Sequence, residues 1–272
     1  VALRCVYLDL DGTLLGKGGS IFHDGAGNVT NLGFRALEAC HRAGVEIVPM
    51  SGRRRAQLFE VSRMLGTRSY IAELGSILVD EGEAEFLTGD MQPTNGTSIH
   101  DQIADAGAAG LLLERFEGTL EPHDPWHRGR EVTHLMRGLV DVQEANAALA
   151  DAGHTDLELL DNGRISRRSP PGLERVHAYH LLPRGTSKAR AVARHRQARE
   201  YEAHECIAVG NSREDLGVAE AVGTLWLVSN ALDGDLDLAA AALATKNVKV
   251  SEDGHGAGVY EAVVTTLATQ RG

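Results

Sequence analysis

A chain of 272 residues has room for one large or two medium domains, each burying a core of its own. Lys and Arg total 27 against 38 Asp and Glu, a formal charge of -11, which argues against a binder of phosphate backbones driven by counterion release, so no nucleic-acid partner is expected. No apolar run approaches the roughly 20 residues needed to cross a bilayer, and VALRCVYLDL leads directly into a strand without a basic leader or cleavage site, so the expectation is a cytoplasmic protein with no membrane partner.

Residues 3–8 (LRCVYL) form the first β-rich run. Residues 32–43 place Leu32, Ala36, Cys40 and Ala43 at helical spacing, with Asn31 as the cap and Gly44 as the stop. VEIVPM then reads as a second buried strand, residues 55–65 as a helix closed by Gly66, and YIAELGSILVD as a further apolar stretch. Apolar strands alternating with amphipathic helices predict an α/β fold, a doubly wound parallel sheet covered on both faces.

The alternation falters at about residue 82 and returns at about residue 186. Between them lie the strand candidates EAEFLT, GLLLERF, DLELL, GRISRRS and ERVHAYHLL, helices near 97–106 and 142–152, and the loop EPHDPWHRGRE. This stretch reads as an α+β domain at 82–184 inserted into a core made of 1–81 and 185–272. The core resumes with helix SKARAVARHRQA, strand ECIAVG, helix REDLGVAEAV, strand TLWLVS, helix ALDGDLDLAAAALA, short strand NVKVS and helix GVYEAVVTTLA. Three cysteines, Cys5, Cys40 and Cys206, lie far apart with no CxxC pair, which argues against a disulfide framework and against a thiolate zinc site.

Ligands of doubly wound sheets bind at the carboxyl ends of the parallel strands. Four polar clusters fall there: Asp9 and Asp11 after the first strand, Ser51-Gly52-Arg53 after the second, GTSK ending in Lys188, and GNSRED with Asn211, Glu214 and Asp215. Singly each has a structural explanation as a turn or a helix cap. Together an acidic pair, a hydroxyl, a lysine and a second acidic group are what metal-assisted phosphoryl transfer through a carboxylate requires. Asp9 is then the nucleophile, and Asp11 protonates the leaving oxygen and later activates water. Ser51 and Lys188 hold the phosphoryl oxygens, with Gly12, Thr13, Gly52 and Arg53 completing the substrate-binding set. Mg²⁺, a hard cation suited to oxygen ligands, is the expected cofactor.

In DLDGTL, MSGR, GTSKARAV and GNSRED, taken in that order, the sequence resembles the haloacid dehalogenase (HAD) superfamily. The insertion between the second and third motifs is similar to the large α/β cap of subfamily IIB, which includes Cof-type sugar phosphatases, sucrose phosphatase and mannosyl-3-phosphoglycerate phosphatase. The resemblance implies a Rossmann-like core with an inserted cap and an aspartyl-phosphate intermediate. It also implies a metal site of Asp9, Asp11, Asn211 and Asp215, and a small phosphorylated metabolite, a sugar phosphate or phosphoglycerate-type ester, as the substrate of a monomer or homodimer. The fourth motif departs from the family's GDxxxD: its first acid is Asn211, so one negative charge is lost and the metal site is expected to be weakened. A scaffold that binds a phosphorylated ligand or a partner protein without catalysis is the alternative expectation. Substrate selection is expected at the insert, where Arg168 of GRISRR and His180 of HAYHLLPRG are the candidate contacts.

Overall fold

The computed structural model describes residues 2–165, 176–233 and 235–269. Its contacts divide the chain into two units, Val1–Glu85 with Ser187–Gly272, and Phe86–Thr186. In chain order the first unit begins with β1 (Cys5–Asp9), α1 (Leu32–Ala43), β2 (Glu46–Met50), α2 (Arg55–Leu65), β3 (Tyr70–Ala72), β4 (Ile77–Asp80) and β5 (Glu83–Phe86). The second holds α3 (Ile99–Asp105), α4 (Ala108–Arg115), β6 (Leu120–Pro122), β7 (His134–Gly138), α5 (Val142–Asp151), β8 (Leu157–Ile165) and β9 (Val176–Pro183). The chain then returns through α6 (Lys188–Arg199), β10 (Cys206–Gly210), α7 (Arg213–Leu216), β11 (Thr224–Leu227), α8 (Leu236–Ala244), β12 (Val248–Val250) and α9 (His255–Thr269).

The first unit is built on an eight-stranded sheet in the order β12-β11-β10-β1-β2-β3-β4-β5. From β12 to β3 the strands run parallel, and β4 turns back antiparallel on β3. All five residues of β1 are buried, as a central strand covered on both faces requires. Its register sets Asp9 opposite Met50 and Leu8 opposite Val209, so Asp9, Ser51 and Gly210 finish at the same edge. Gly44 and Gly66 close α1 and α2 in the left-handed conformation, where a residue without Cβ carries no steric cost. Asn31 makes no side-chain cap; Thr30 Oγ1 instead accepts the Leu32 N–H at 3.2 Å.

Among the described residues the second unit has a four-stranded antiparallel sheet, β6-β7-β9-β8, with three helices. GLLLERF is not a strand: it lies in and just after α4, because Ala108, Ala109 and Leu112 put one buried face at helical spacing and Leu, Glu and Arg are strong helix formers. Strand β7 comes from HLMRG, whose mixed polar and apolar residues carry no strong periodicity. In the first unit, REDLGVAEAV makes only one α-turn before Gly217 opens a 3₁₀ segment. ALDGDLDLAAAALA likewise splits, because Asp235 caps α8 by accepting the Leu238 N–H at 2.9 Å.

His134 on β7 donates Nε2–H to the His100 carbonyl at 2.9 Å and stacks on the His100 ring at 3.8 Å. Burial, reinforced by the neighbouring His100, pushes its pKa down from 6.5 to about 4. Between those values the unfolded chain holds more protons than the folded one, so this ring makes stability fall as pH is lowered through 6.5. At pH 5 the loss is about 2 kcal/mol relative to pH 7. His134→Gln keeps a donor and cannot titrate, so it is expected to lose less stability than the parent between pH 7 and pH 5 in urea unfolding. Parallel losses in the two proteins would contradict this.

Candidate active site

The end of β1 turns sharply through Leu10-Asp11-Gly12-Thr13. The Thr13 and Leu15 amides donate to the Leu10 carbonyl at 3.2 and 2.9 Å. Gly12 has φ +85°, and a Cβ there would lie 2.3 Å from Asn211 Nδ2, so only glycine lets the loop lie against Asn211. Asp9, 5% exposed, accepts from Lys188 Nζ on Oδ1 at 2.8 Å and from the buried Thr13 hydroxyl on Oδ2 at 2.9 Å. A carboxylate offers about four lone pairs, so each oxygen of Asp9 keeps one for a further partner.

Lys188 opens α6, whose first turn Ser187 caps by accepting the Arg190 N–H at 3.2 Å. Its ammonium is buried among three acids, with Asp215 Oδ1 at 2.7 Å, Asp9 Oδ1 at 2.8 Å and Glu214 Oε2 at 3.4 Å. Burial alone would lower its pKa, but Asp215, Asp9 and Glu214 outweigh it and hold Lys188 well above the ordinary lysine value. Burial pushes Asp9 the other way, up to about 7, with Asp215 adding to it and Lys188 opposing it. Glu214 is likewise raised by burial, and its Oε1 accepts the Lys188 backbone N–H at 3.1 Å. Three acids therefore share one buried lysine.

Ser51, 3% exposed, stands at the end of β2 and accepts the Arg53 N–H on Oγ at 3.2 Å. Arg53 does not stand open: its Nε and Nη2 grip both oxygens of Asp11, each at 2.6 Å. That planar fork is the geometry that suits guanidinium to carboxylate, and equally to phosphate. Asp215, expected in the metal site, is engaged on both of its oxygens. Its Oδ1 is taken by Lys188, and its Oδ2 accepts from Asn211 N at 3.0 Å, Ser212 N at 3.1 Å and Ser212 Oγ at 2.7 Å. With both oxygens committed to protein donors, Asp215 holds the Asn211 loop and Lys188 in place.

Two contributors had escaped the sequence. Glu73, Leu74 and Gly75 all have positive φ, at 49°, 60° and 95°. This unusual turn lets the Leu74 N–H donate to Ser51 O at 3.2 Å and the Glu73 N–H to Arg53 O at 3.0 Å. A Cβ on Gly75 would lie 2.2 Å from the Ser187 carbonyl, so the turn also packs against the start of α6. Asn230 joins Gly12 O, by its Nδ2 at 2.9 Å, to the His255 N–H, received on Oδ1 at 2.8 Å. Gly75 was the one sequence signal for the turn; Asn230 had none.

Residues Asp9, Thr13, Lys188, Asn211, Glu214 and Asp215 are thus brought together by direct contacts. His180 is buried, 1% exposed in the second unit, with Nδ1 3.1 Å from Thr133 Oγ1. Arg184, also there, donates to the Thr155 and Leu157 carbonyls at 2.9 and 3.0 Å. Arg167 and Arg168 lie outside the described residues.

The donor set fits a hard divalent cation. The Thr13 hydroxyl, with one proton to give, lies 2.9 Å from Asp9 Oδ2 and 3.2 Å from Asn211 Oδ1, so three oxygens converge with one hydrogen among them. Asp9, Asn211 and the backbone carbonyl of Asp11 are the residues that would hold the ion.

The fold is that of solved HAD-like hydrolases. Sucrose-phosphatase from Synechocystis sp. PCC6803, solved with sucrose and phosphate, superposes with a TM-score of 0.67 at 15% identity, covering 97% of this chain and 98% of that one. An HAD-like hydrolase from Bacteroides thetaiotaomicron gives 0.64 at 14% identity, covering 97% and 99%. No family model matches the chain. Among curated proteins, a phosphoglycolate phosphatase from Methanoculleus marisnigri is 26% identical over 266 residues, 96% of this chain and 95% of the relative. No helix among the described residues is long and apolar enough to cross a membrane.

Proposed function

We propose that this protein is a Mg²⁺-dependent phosphomonoester hydrolase acting on a small phosphorylated metabolite, a sugar phosphate or a phosphoglycerate-type ester. The observation that carries it is Asp9 itself: a buried carboxylate held from both oxygens by Lys188 and Thr13, with lone pairs left over. The phosphatase relatives support the same chemistry.

Asp9 attacks phosphorus, forming the aspartyl-phosphate as the bond to the leaving oxygen breaks. Asp11 gives that oxygen a proton, then takes one from the water that cleaves the intermediate, releasing inorganic phosphate and regenerating Asp9. Ser51 and the backbone N–H groups near Gly12 and Gly52 hold the phosphoryl oxygens. Lys188 keeps Asp9 aligned and offsets negative charge. Mg²⁺, when bound, neutralises repulsion between the carboxylate and the phosphate dianion. The Arg53 fork holds Asp11 in the free protein, and an arriving phosphoryl group, equally matched to guanidinium, competes for it. Selection of the substrate is assigned to the inserted unit.

Asn211 favours one rival, a weakened scaffold that binds a phosphorylated ligand or a partner protein without turnover, since it withholds a charge from the cation. Phosphate release from sugar phosphates, phosphoglycerates, phosphoglycolate and an aryl phosphate, with and without Mg²⁺, decides between them. Hydrolysis rising at least tenfold with Mg²⁺, together with a lower Mg²⁺ requirement in Asn211→Asp, is the expected result. No turnover on any compound and no rise in melting temperature with Mg²⁺ would leave the scaffold.

A further inference from the structure

The face of β1 that carries Asp9 also carries Tyr7 and Cys5, since alternate residues of a strand share a side. Cys5 is about 13 Å from Asp9 along the strand, at the opposite end. Helix α6 follows the same course: Lys188 lies at its start, and His195 is seven residues further, about 10 Å along the axis and on the same side. Cys5, Glu46 and His195 consequently meet at the amino ends of the parallel strands, with one ligand atom from each within 4.8 Å of the others. Glu46 sits opposite Cys5 in the β1–β2 register, which puts its side chain on that face.

The histidine is in an unusual condition. It is 0% exposed, and its Nε2 has no hydrogen-bond partner, with Glu46 Oε1 at 3.8 Å and Asp80 Oδ1 at 4.0 Å. Its Nδ1 lies 2.9 Å from the Tyr7 hydroxyl. Arg199 Nη2 already pairs with Asp80 Oδ1 at 2.6 Å and lies 3.5 Å from Glu46 Oε1, so the position left for a further cation is the one between the unpartnered His195 Nε2, Glu46 and Cys5. The surroundings also hold the other donors. Tyr201 donates to Glu46 Oε2 at 2.9 Å, and Ser69 and Arg199 both donate to Asp80 Oδ1 at 2.6 Å, with Ser69 Oγ 3.3 Å from Glu46 Oε1. Metal-binding histidines and carboxylates are commonly fixed by such outer partners. A cavity of about 340 Å³ lined by Glu46, Tyr201 and Arg199, among others, borders the group on its Glu46 side, while Cys5 and His195 lie behind it and are fully buried.

We propose that Cys5, Glu46 and His195 form a second metal site, for a borderline-soft cation of the Zn²⁺ type, remote from the phosphoryl-transfer centre. One thiolate, one imidazole and one carboxylate are a donor set that suits Zn²⁺ and not Mg²⁺. Binding replaces the Cys5 thiol proton: S–H breaks, the proton leaves to solvent, and the sulfur pair goes to the metal. His195 binds through Nε2 while Nδ1–H donates to Tyr7, and the cavity side supplies a fourth, exchangeable water. Ligands around one Zn²⁺ stand about 3.5 Å apart, so the three side chains close in by roughly 1 Å. The site would pin together β1, β2 and α6, the elements that carry Asp9, Ser51 and Lys188. The absence of a CxxC pair argues against a thiolate zinc site in the sequence, and a site with a single sulfur assembled from three distant residues departs from that expectation.

The test uses the full-length protein, stripped with chelator and titrated with Zn²⁺ and with Co²⁺ as the spectroscopic probe. The expected result is a single tightly held equivalent of Zn²⁺, a higher melting temperature on binding and a cobalt–thiolate charge-transfer band. Cys5→Ala should lose the band, His195→Gln and Glu46→Gln should each weaken Zn²⁺ binding at least tenfold, and Tyr7→Phe by ten- to a hundredfold. Asp9→Asn and Cys40→Ser should leave band and affinity unchanged, which separates this site from the phosphoryl-transfer centre. If the core variants fail to fold, Glu46→Gln, at the cavity wall, carries the test. No cobalt–thiolate band, a band that survives Cys5→Ala, or Zn²⁺ affinity untouched by Glu46→Gln would overturn the proposal.

Discussion

Asp9→Asn is expected to lower phosphate release by about 10³-fold or more, because the amide cannot attack phosphorus and no neighbouring acid stands in its place. Asp11 is held by Arg53, and Asp215 is occupied on both oxygens, so neither substitutes. The same change should spare the fold. Its amide oxygen still accepts from Lys188 and its NH₂ turns to the Thr13 hydroxyl, which can accept as well as donate. Stability should even rise near neutral pH. Asp9 titrates at about 7 folded against 3.8 as its ordinary value, so in that window the folded protein holds the extra proton, and stability falls as pH increases from 4 to 7. Asn removes that slope, which is opposite in sign to the one assigned to His134. Phosphate release and urea unfolding at pH 5 and pH 8 check both halves; turnover retained within tenfold of the parent would displace Asp9 as the nucleophile.

Lys188→Met is expected to cost about 3–5 kcal/mol of stability as well as activity. The ammonium is 2% exposed and is the partner shared by Asp9, Glu214 and Asp215, so its loss strands buried carboxylates without compensation. The double variant Lys188→Met with Asp9→Asn should recover part of that loss, because one of the stranded charges is gone. Denaturant midpoints for the two singles and the double give the coupling directly. A loss below about 1 kcal/mol in Lys188→Met would mean that water reaches the three acids and the burial argument fails.

Much of the core was legible because its signals are local. A run such as CVYLD ended by a polar turn shows a buried strand and the residues at its carboxyl end, and glycines at 44 and 66 mark helix stops whatever lies around them. The inserted unit was read less well for the same reason. GLLLERF is apolar enough for a strand or a helix, and only the partners of Ala108, Ala109 and Leu112 decide it; HLMRG is a strand because β9 and β6 flank it. At the site, residue types were legible but their pairings were not. Arg53 reads as a phosphate ligand, and its fork on Asp11 depends on how the ends of β1 and β2 are placed.

The sequence by itself determined the alternation of strand and helix, the interruption at the insert, and the arrival of Asp9, Ser51 and Asn211 after strands and of Lys188 at a helix start, since each follows from periodicity within a few residues. Only the tertiary structure decided that Lys188 spans 179 positions to reach Asp9, that Asp215 accepts from Lys188, Asn211 and Ser212, that Glu73-Leu74-Gly75 turns against Ser51, and that Cys5, Glu46 and His195 meet at the far end of the sheet. Those outcomes depend on strand order, register and the face on which a helix lands. These are set by packing the whole core at once and leave no mark in any short window of sequence.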